Sequence, residues 1–326
     1  MYEAFYGLSE KPFSIQPDPE YLFWGRAHSM AFAMLEYGIM NRAGFTVITG
    51  EIGCGKTTLI RHLLNKLDDN ATVGLVSNTQ ENRGELLQWV LMAFGQPFEE
   101  KSHVALYDQL HTFLIDEYGK GHRTILIVDE AQNLGPKSLE ELRMLSNINA
   151  DKDQLLQLVL VGQPQLKDLL QRPELVQFAQ RIASDFHLRT LSKEEVGGYI
   201  HHRTKVAGSD RPIFSSAACD IVADASRGIP RLINIICDTA LVYGFSSDED
   251  EISGNTVDNV IRDKSEYGIF SLSISPYAEP AAGVAVTGRA ERRKFDVSDG
   301  VDSPALIIRD KELAKYIFSK VIDSSK

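Results

Sequence analysis

The octapeptide Gly50-Glu51-Ile52-Gly53-Cys54-Gly55-Lys56-Thr57 restricts the fold of this 326-residue chain more than any other feature. It fits G-x-x-x-x-G-K-[ST] in full, directly after the apolar run 45–49 (FTVIT) and before a stretch of helical spacing, 56–67. In a strand–loop–helix context the glycines let the backbone wrap an anion with its N–H groups pointing inward. The helix N-terminus adds a favourable field. The anion such a loop takes is the phosphate tail of a nucleotide. Gly50, Glu51, Ile52, Gly53, Cys54, Gly55, Lys56, Thr57 and Thr58 are therefore the expected ATP contacts. Lys56 would reach the β- and γ-phosphates, and the Thr57 hydroxyl would ligate Mg²⁺.

Further strands are predicted at 72–77, 124–128 and 156–161, with helices over 83–95, 103–119 and 137–148 between them. Strands rich in Val, Ile and Leu that alternate with helices imply a parallel sheet covered on both faces. The expectation is an α/β core. After about residue 190 the strand signal fades. Ser192 with Glu195 reads as a capping box, Ser215 or Ser216 opens a second helix, and Pro230 after Gly228 opens a third, to about Tyr243. A fourth lies near 254–263.

The expected organisation is an N-terminal strap and helix (1–40), the core (41–190), a helical lid (191–263) and a flexible linker (264–326). The strap carries Phe5, Tyr6, Phe13, Tyr21, Phe23 and Trp24 without a sustained period. Met30, Ala33, Met34 and Tyr37, at i, i+3, i+4, i+7 spacing, then predict a helix over His28–Met40. The linker ends in 309–322, where Leu313, Ile317 and Val321 share one helical face.

A second polar centre follows the run Ile125-Leu126-Ile127-Val128. Asp129 and Glu130 emerge at the carboxyl end of that strand, the edge where open α/β sheets bind ligands. Asp129 would hold Mg²⁺, and Glu130 would polarise the water that attacks the γ-phosphate. Gln163, after strand 156–161, could orient that water or sense the γ-phosphate; otherwise it is a turn residue before Pro164. Arg181 fits an arginine finger acting across a subunit interface, or an ordinary salt-bridging arginine. Arg231, in GIPRLIN, would aim a guanidinium from the lid back at the phosphates of its own subunit. Cys54 reads as a small residue at a variable loop position, although a helix N-terminus can lower a thiol pKa. Cys219 and Cys237 fit small core residues.

Forty-five acids against 34 Lys plus Arg give a net charge of −11, which repels a phosphate backbone, so nucleic acid is not expected as a partner. Three cysteines at no metal-ligand spacing give no disulfide framework and fit a reducing compartment. The start MYEAFYGLSEKPF has no signal-peptide pattern, and no apolar run nears the ~20 residues of a membrane span. A cytoplasmic location is expected, with at most peripheral contact at the inner membrane. Arg289, Arg292, Arg293 and Lys294 form a weak basic cluster that fits a solvated linker better than a docking patch.

With the motifs placed, the chain resembles the ExeA/GspA-type family of AAA+ ATPases, from residue 2 to about 263. The resemblance rests on Phe5-Tyr6-Gly7-Leu8, Lys11-Pro12-Phe13, Pro17-Asp18-Pro19, GEIGCGKTTL, VDEAQNL, GQPQL, AQRI and GIPRLIN, in that order. It implies the roles assigned above to the loop, the acidic pair, Gln163 and the arginines. It also implies a helical lid and homo-oligomers assembled through ATP at subunit interfaces. Partners would be envelope-associated secretion proteins or, in a soluble branch encoded with exosortase (XrtA/PEP-CTERM) systems, polysaccharide export proteins. The lack of a membrane helix or peptidoglycan-binding module after residue 263 favours that branch. Two rivals stand beside it. One is a TniB-like ATPase of DNA transposition, which needs a basic DNA-facing surface. The other is a slow ATP-dependent switch that binds a partner.

Overall fold

The computed structural model describes residues 1–77, 86–150 and 153–267. In chain order the elements are α1 (Glu3–Tyr6), α2 (Arg26–Met40), β1 (Phe45–Gly50), α3 (Lys56–Lys66), β2 (Ala71–Val76), α4 (Leu86–Ala93), α5 (His103–Gly119) and β3 (Arg123–Val128). They continue with α6 (Pro136–Leu145), β4 (Asn149–Ala150), β5 (Asp153–Gln154), β6 (Leu156–Gly162), α7 (Pro164–Leu170), α8 (Val176–Ala179) and β7 (Ile182–Leu188). Four helices close the described chain: α9 (Lys193–Val206), α10 (Ser216–Ser226), α11 (Pro230–Ser246) and α12 (Gly254–Tyr267). The start of the helix expected over 83–95 and everything expected beyond 267, the linker, its basic cluster and the helix at 309–322, lie outside the described residues.

Five strands form one parallel sheet in the order β2-β3-β6-β1-β7. Strand alternation sends Val47, Leu126, Val128, Leu158 and Leu160 to one face, where Leu87, Leu91, Leu110, Leu139 and Leu166 cover them. Ile48, Ile125, Ile127, Val159 and Val161 go to the other, against Phe32 and Leu35 of α2 and Leu59, Ile60 and Leu63 of α3. Burying such a side chain stabilises the fold by about 1.5–3 kcal/mol. β1, β3 and β6 are buried on both faces, which is why they stand out as unbroken apolar runs.

The fifth strand corrects the expectation of four. β7 lies at the sheet edge, paired with β1 alone, and its burial alternates: Ser184 and Leu188 point in while Ala183, Asp185 and His187 are exposed. Polar residues on the open face break the apolar run that marks the inner strands. A second difference concerns α2. The stripe that signals this helix looks outward, with Met30 and Tyr37 exposed, while Ala31, Phe32, Leu35 and Ile39 are buried.

Helices α9–α12 pack around their own core of Val196, Ile200, Val222, Ile233, Ile236 and Val257. The capping box of Ser192 and Glu195 is formed, and Ser215 caps α10 through the amide of Ala218. The last helix runs to Tyr267, past the expected end near 263. Aromatics of the N-terminal strap, Tyr2, Tyr6, Phe13 and Tyr21, belong to this bundle core and not to the sheet. Arg203 fastens the strap. Its buried guanidinium donates to the carbonyls of Pro12 (2.6 Å) and Ser14 (3.1 Å) and stacks 4.4 Å from the Tyr21 ring. Asn234 also donates to Ser14 (3.1 Å), and from the core side Arg61 donates to the carbonyl of Pro17.

The link from β7 into the bundle turns on Gly228. Its φ is +71°, its carbonyl accepts from the Leu191 amide at 2.9 Å, and an added Cβ would fall 1.9 Å from the Leu191 carbonyl oxygen. Strained backbone and a backbone clash coincide, so Gly228→Ala is expected to destabilise the fold by about 2–3 kcal/mol. A thermal melt should show a midpoint lower by several degrees; an unchanged midpoint would mean that the turn relaxes without cost.

Candidate functional site

β3, β6 and β1 are neighbours in the sheet, and their carboxyl ends bring three polar centres to one edge: Asp129-Glu130, Gln163 and the loop that starts at Gly50. In the loop, Gly53 (φ +81°) and Gly55 (φ +95°) take left-handed backbone. Space demands glycine there as well. A Cβ at 53 would meet Cβ of Arg231 at 2.6 Å, and one at 55 would lie 3.1 Å from Nε2 of His28. The Lys56 ammonium is buried against the loop, donating to the carbonyls of Gly50 (2.8 Å) and Glu51 (3.0 Å).

The Asp129 carboxylate accepts from the amide of Glu130 at 2.9 Å and from the Thr57 hydroxyl. The surrounding walls desolvate it and push its pKa up, partly offset by those hydrogen bonds. Glu130 sits in left-handed backbone (φ +53°) just after β3. Its Oε2 accepts from Nε2 of Gln163 at 3.0 Å and from Nε2 of Gln132 at 2.5 Å. Gln163 itself precedes α7, with Pro164 in the first helical position.

Arg231 stands beside the loop, its amide donating to the Gly53 carbonyl at 3.2 Å, and with Lys56, Thr57, Thr58 and Glu130 it lines a cleft of ≈ 220 Å³. Arg181 does not line that cleft. It lies at the start of β7, the end of the sheet away from the loop, and donates to Asn147 and to Ser146 Oγ (3.3 Å). Within one subunit it is therefore apart from Lys56 and Glu130.

Three features of the site were not singled out from sequence. The strap supplies a wall of the cleft through Ser14–Asp18 and Tyr21–Phe23, facing Tyr199 and Arg203 of the bundle. His28 is buried with Nε2 2.9 Å from the Cys54 carbonyl. A carbonyl only accepts, so Nε2 carries the proton, and burial lowers the pKa and keeps the ring neutral. Gln132 is the third. A polar residue two positions after Glu130 was the available signal for it.

Cys54 is fully buried, and desolvation pushes its thiol pKa up to about 11. Burial outweighs the helix N-terminus and nearby Lys56, so the thiol is not an activated nucleophile.

Among the described residues no group of three or more His, Cys, Asp or Glu converges as a metal site. Mg²⁺ in a nucleotide site needs less, because it keeps several waters and takes one or two protein oxygens beside the phosphates. The paired Thr57 hydroxyl and Asp129 carboxylate are hard oxygen donors that fit it.

Comparison with known proteins agrees with this fold. The family described as AAA domain matches residues 39–170. The fold is similar to the ORC2 protein of Aeropyrum pernix in its ADPNP–ADP complexes (TM-score 0.57, 18% identity, 78% of this chain and 72% of that one). It is also similar to Cdc6p of Pyrobaculum aerophilum (TM-score 0.55, 17% identity, 72% and 66%). A phosphate-binding loop at the edge of this sheet, in this fold, defines a P-loop ATPase of the AAA+ class. More particularly, the chain is 42% identical over 247 residues to general secretion pathway protein A of Aeromonas hydrophila, a match over 76% of this chain. That likeness supports a place among the AAA proteins related to general secretion pathway protein A. The chain spans less than half of that relative's length, 45%. No helix among the described residues is long and apolar enough to cross a membrane.

Proposed function

We propose that this ATPase uses hydrolysis of Mg-ATP to drive or regulate assembly of a cell-envelope secretion or exopolysaccharide export system. The observation that carries the reading is the 42% identity to general secretion pathway protein A, which spans 247 residues, well beyond the P-loop.

In the proposed mechanism the loop amides and Lys56 hold the phosphates, and Arg231 adds positive charge from the lid formed by α9–α12. Thr57 and Asp129 would hold Mg²⁺, which would offset phosphate charge. Glu130 takes a proton from water as its oxygen attacks the γ-phosphorus in line. The bond from that phosphorus to the β–γ bridging oxygen breaks, and ADP leaves with the electron pair. Gln163 orients the water or senses the γ-phosphate. Arg181, placed away from its own subunit's cleft, suits a contribution to the cleft of a neighbouring copy. Homo-oligomers, a cytoplasmic location with peripheral inner-membrane contact, and the soluble exosortase-associated branch belong to the same reading.

The test is ATPase rate against protein concentration, with Mg²⁺, in the presence and absence of DNA and of anionic lipid vesicles. The expected result is turnover that rises more steeply than linearly and is stimulated by vesicles, not by DNA. A linear, low rate raised only by DNA would replace this reading with a transposition-type ATPase. A linear rate that neither raises would point to a slow switch.

A further inference from the structure

Glu130 is held in an asymmetric way. Both amide donors, Nε2 of Gln132 and Nε2 of Gln163, reach the same oxygen, Oε2. Gln132 is tied to Gln163 a second time, because its Oε1 accepts from the Gln163 backbone amide at 2.9 Å. One Gln132 side chain thus spans the gap between the ends of β3 and β6, with its two arms on two different functional groups. The space it occupies depends on Gly162: a Cβ there would lie 2.8 Å from Gln132 Oε1. The short helical turn Ala131–Asn133, closed by the Asn133 amide on the Glu130 carbonyl at 3.0 Å, sets Gln132 in place.

We propose that Gln132 is a positioning residue for hydrolysis, joining Glu130 and Gln163 into one unit. It fixes the carboxylate by Oε2 and leaves Oε1 to take the proton from water. Through the Gln132 Oε1 it also sets the Gln163 backbone, and with it the direction of the Gln163 side chain. Each Nε2 carries two hydrogens, so Gln163 can hold Glu130 with one and meet a phosphate oxygen with the other. A γ-phosphate bound by Gln163 would then fix the distance between the base and the reacting centre. The inference rests on Glu130 being the general base.

Gln132→Met keeps the side-chain length and removes both arms. Gln132→Glu keeps an acceptor for the Gln163 amide but cannot donate to Glu130. Both are expected to lower kcat roughly 10- to 100-fold, the scale of a misplaced reacting group, with affinity for a fluorescent ATP analogue and the melting midpoint unchanged. In the double variant Glu130→Gln/Gln132→Met the second substitution should cost far less than it does alone, because the arm that acts through Glu130 has nothing left to position. Wild-type kcat in Gln132→Glu overturns the proposal, as does a double variant slowed by the product of the two single effects. In either case a slow Glu130→Gln leaves the general-base assignment standing. A Glu130→Gln enzyme at the wild-type rate removes that assignment and this inference with it.

Discussion

Glu130→Gln is expected to bind ATP as the wild type does and to turn it over about 10²–10⁴-fold more slowly, the usual loss when a general base is removed. The geometry explains why binding should survive. Glu130 lines the cleft beyond Lys56 and Thr57, in a turn set by its backbone, and its side-chain partners are two glutamines and not the phosphate loop. The substitution preserves length and shape, so the turn and the contact with Gln163 can persist. Only the capacity to accept a proton is lost. Phosphate release measured beside the affinity of a fluorescent ATP analogue separates the two effects. Hydrolysis at the wild-type rate would falsify the role assigned to this carboxylate; weaker binding in the same proportion as the rate would make it a binding residue.

Lys56→Ala should act on the other quantity. The ammonium donates to two loop carbonyls and is buried, so its removal has two costs. The carbonyls of Gly50 and Glu51 lose their donor, and the phosphates lose the charge that would meet them. Charge-assisted hydrogen bonds contribute about 1.5–3 kcal/mol each, so losing the two that Lys56 would make to the β- and γ-phosphates weakens nucleotide binding by at least about 100-fold, which abolishes it at ordinary concentrations. The assay is the rise in melting temperature that ATP causes in the wild type, which should vanish in the variant. The apo-protein should still melt cooperatively, because Leu59, Ile60 and Leu63 of the same helix retain their core contacts. A preserved shift with ATP would show that the loop amides suffice without the lysine.

Much of this architecture could be read from the sequence, for a physical reason. β1, β3 and β6 lie between two helical layers, so their residues must be apolar on both sides, and each ends in a motif of fixed spacing. Ser192 and Ser215 announce their helices through their own side chains, a local interaction that needs no knowledge of the fold. What was missed depends on tertiary neighbours. β7 has one sheet partner, so Asp185 and His187 face outward and break the run. The outward stripe on α2 and the buried one share a period, and only the packing partner distinguishes them. Arg203 and His28 owe their places to carbonyls 191 and 26 residues away in sequence, a distance no local pattern encodes. Gln132 was hidden differently, as one more polar residue in a motif whose neighbours drew the assignment.

The edge position of β7 makes the matched AAA segment a poor guide to where this chain can be cut. The matched AAA domain, 39–170, contains Lys56, Asp129, Glu130 and Gln163 but stops short of Ile182–Leu188. Without that last strand, β1 would trade a flanked position for a bare rim, its N–H and C=O groups open immediately below the phosphate loop. An exposed apolar rim invites the strand of another molecule. A fragment trimmed to the motifs would keep every group the chemistry needs and gain a template for self-association beneath it.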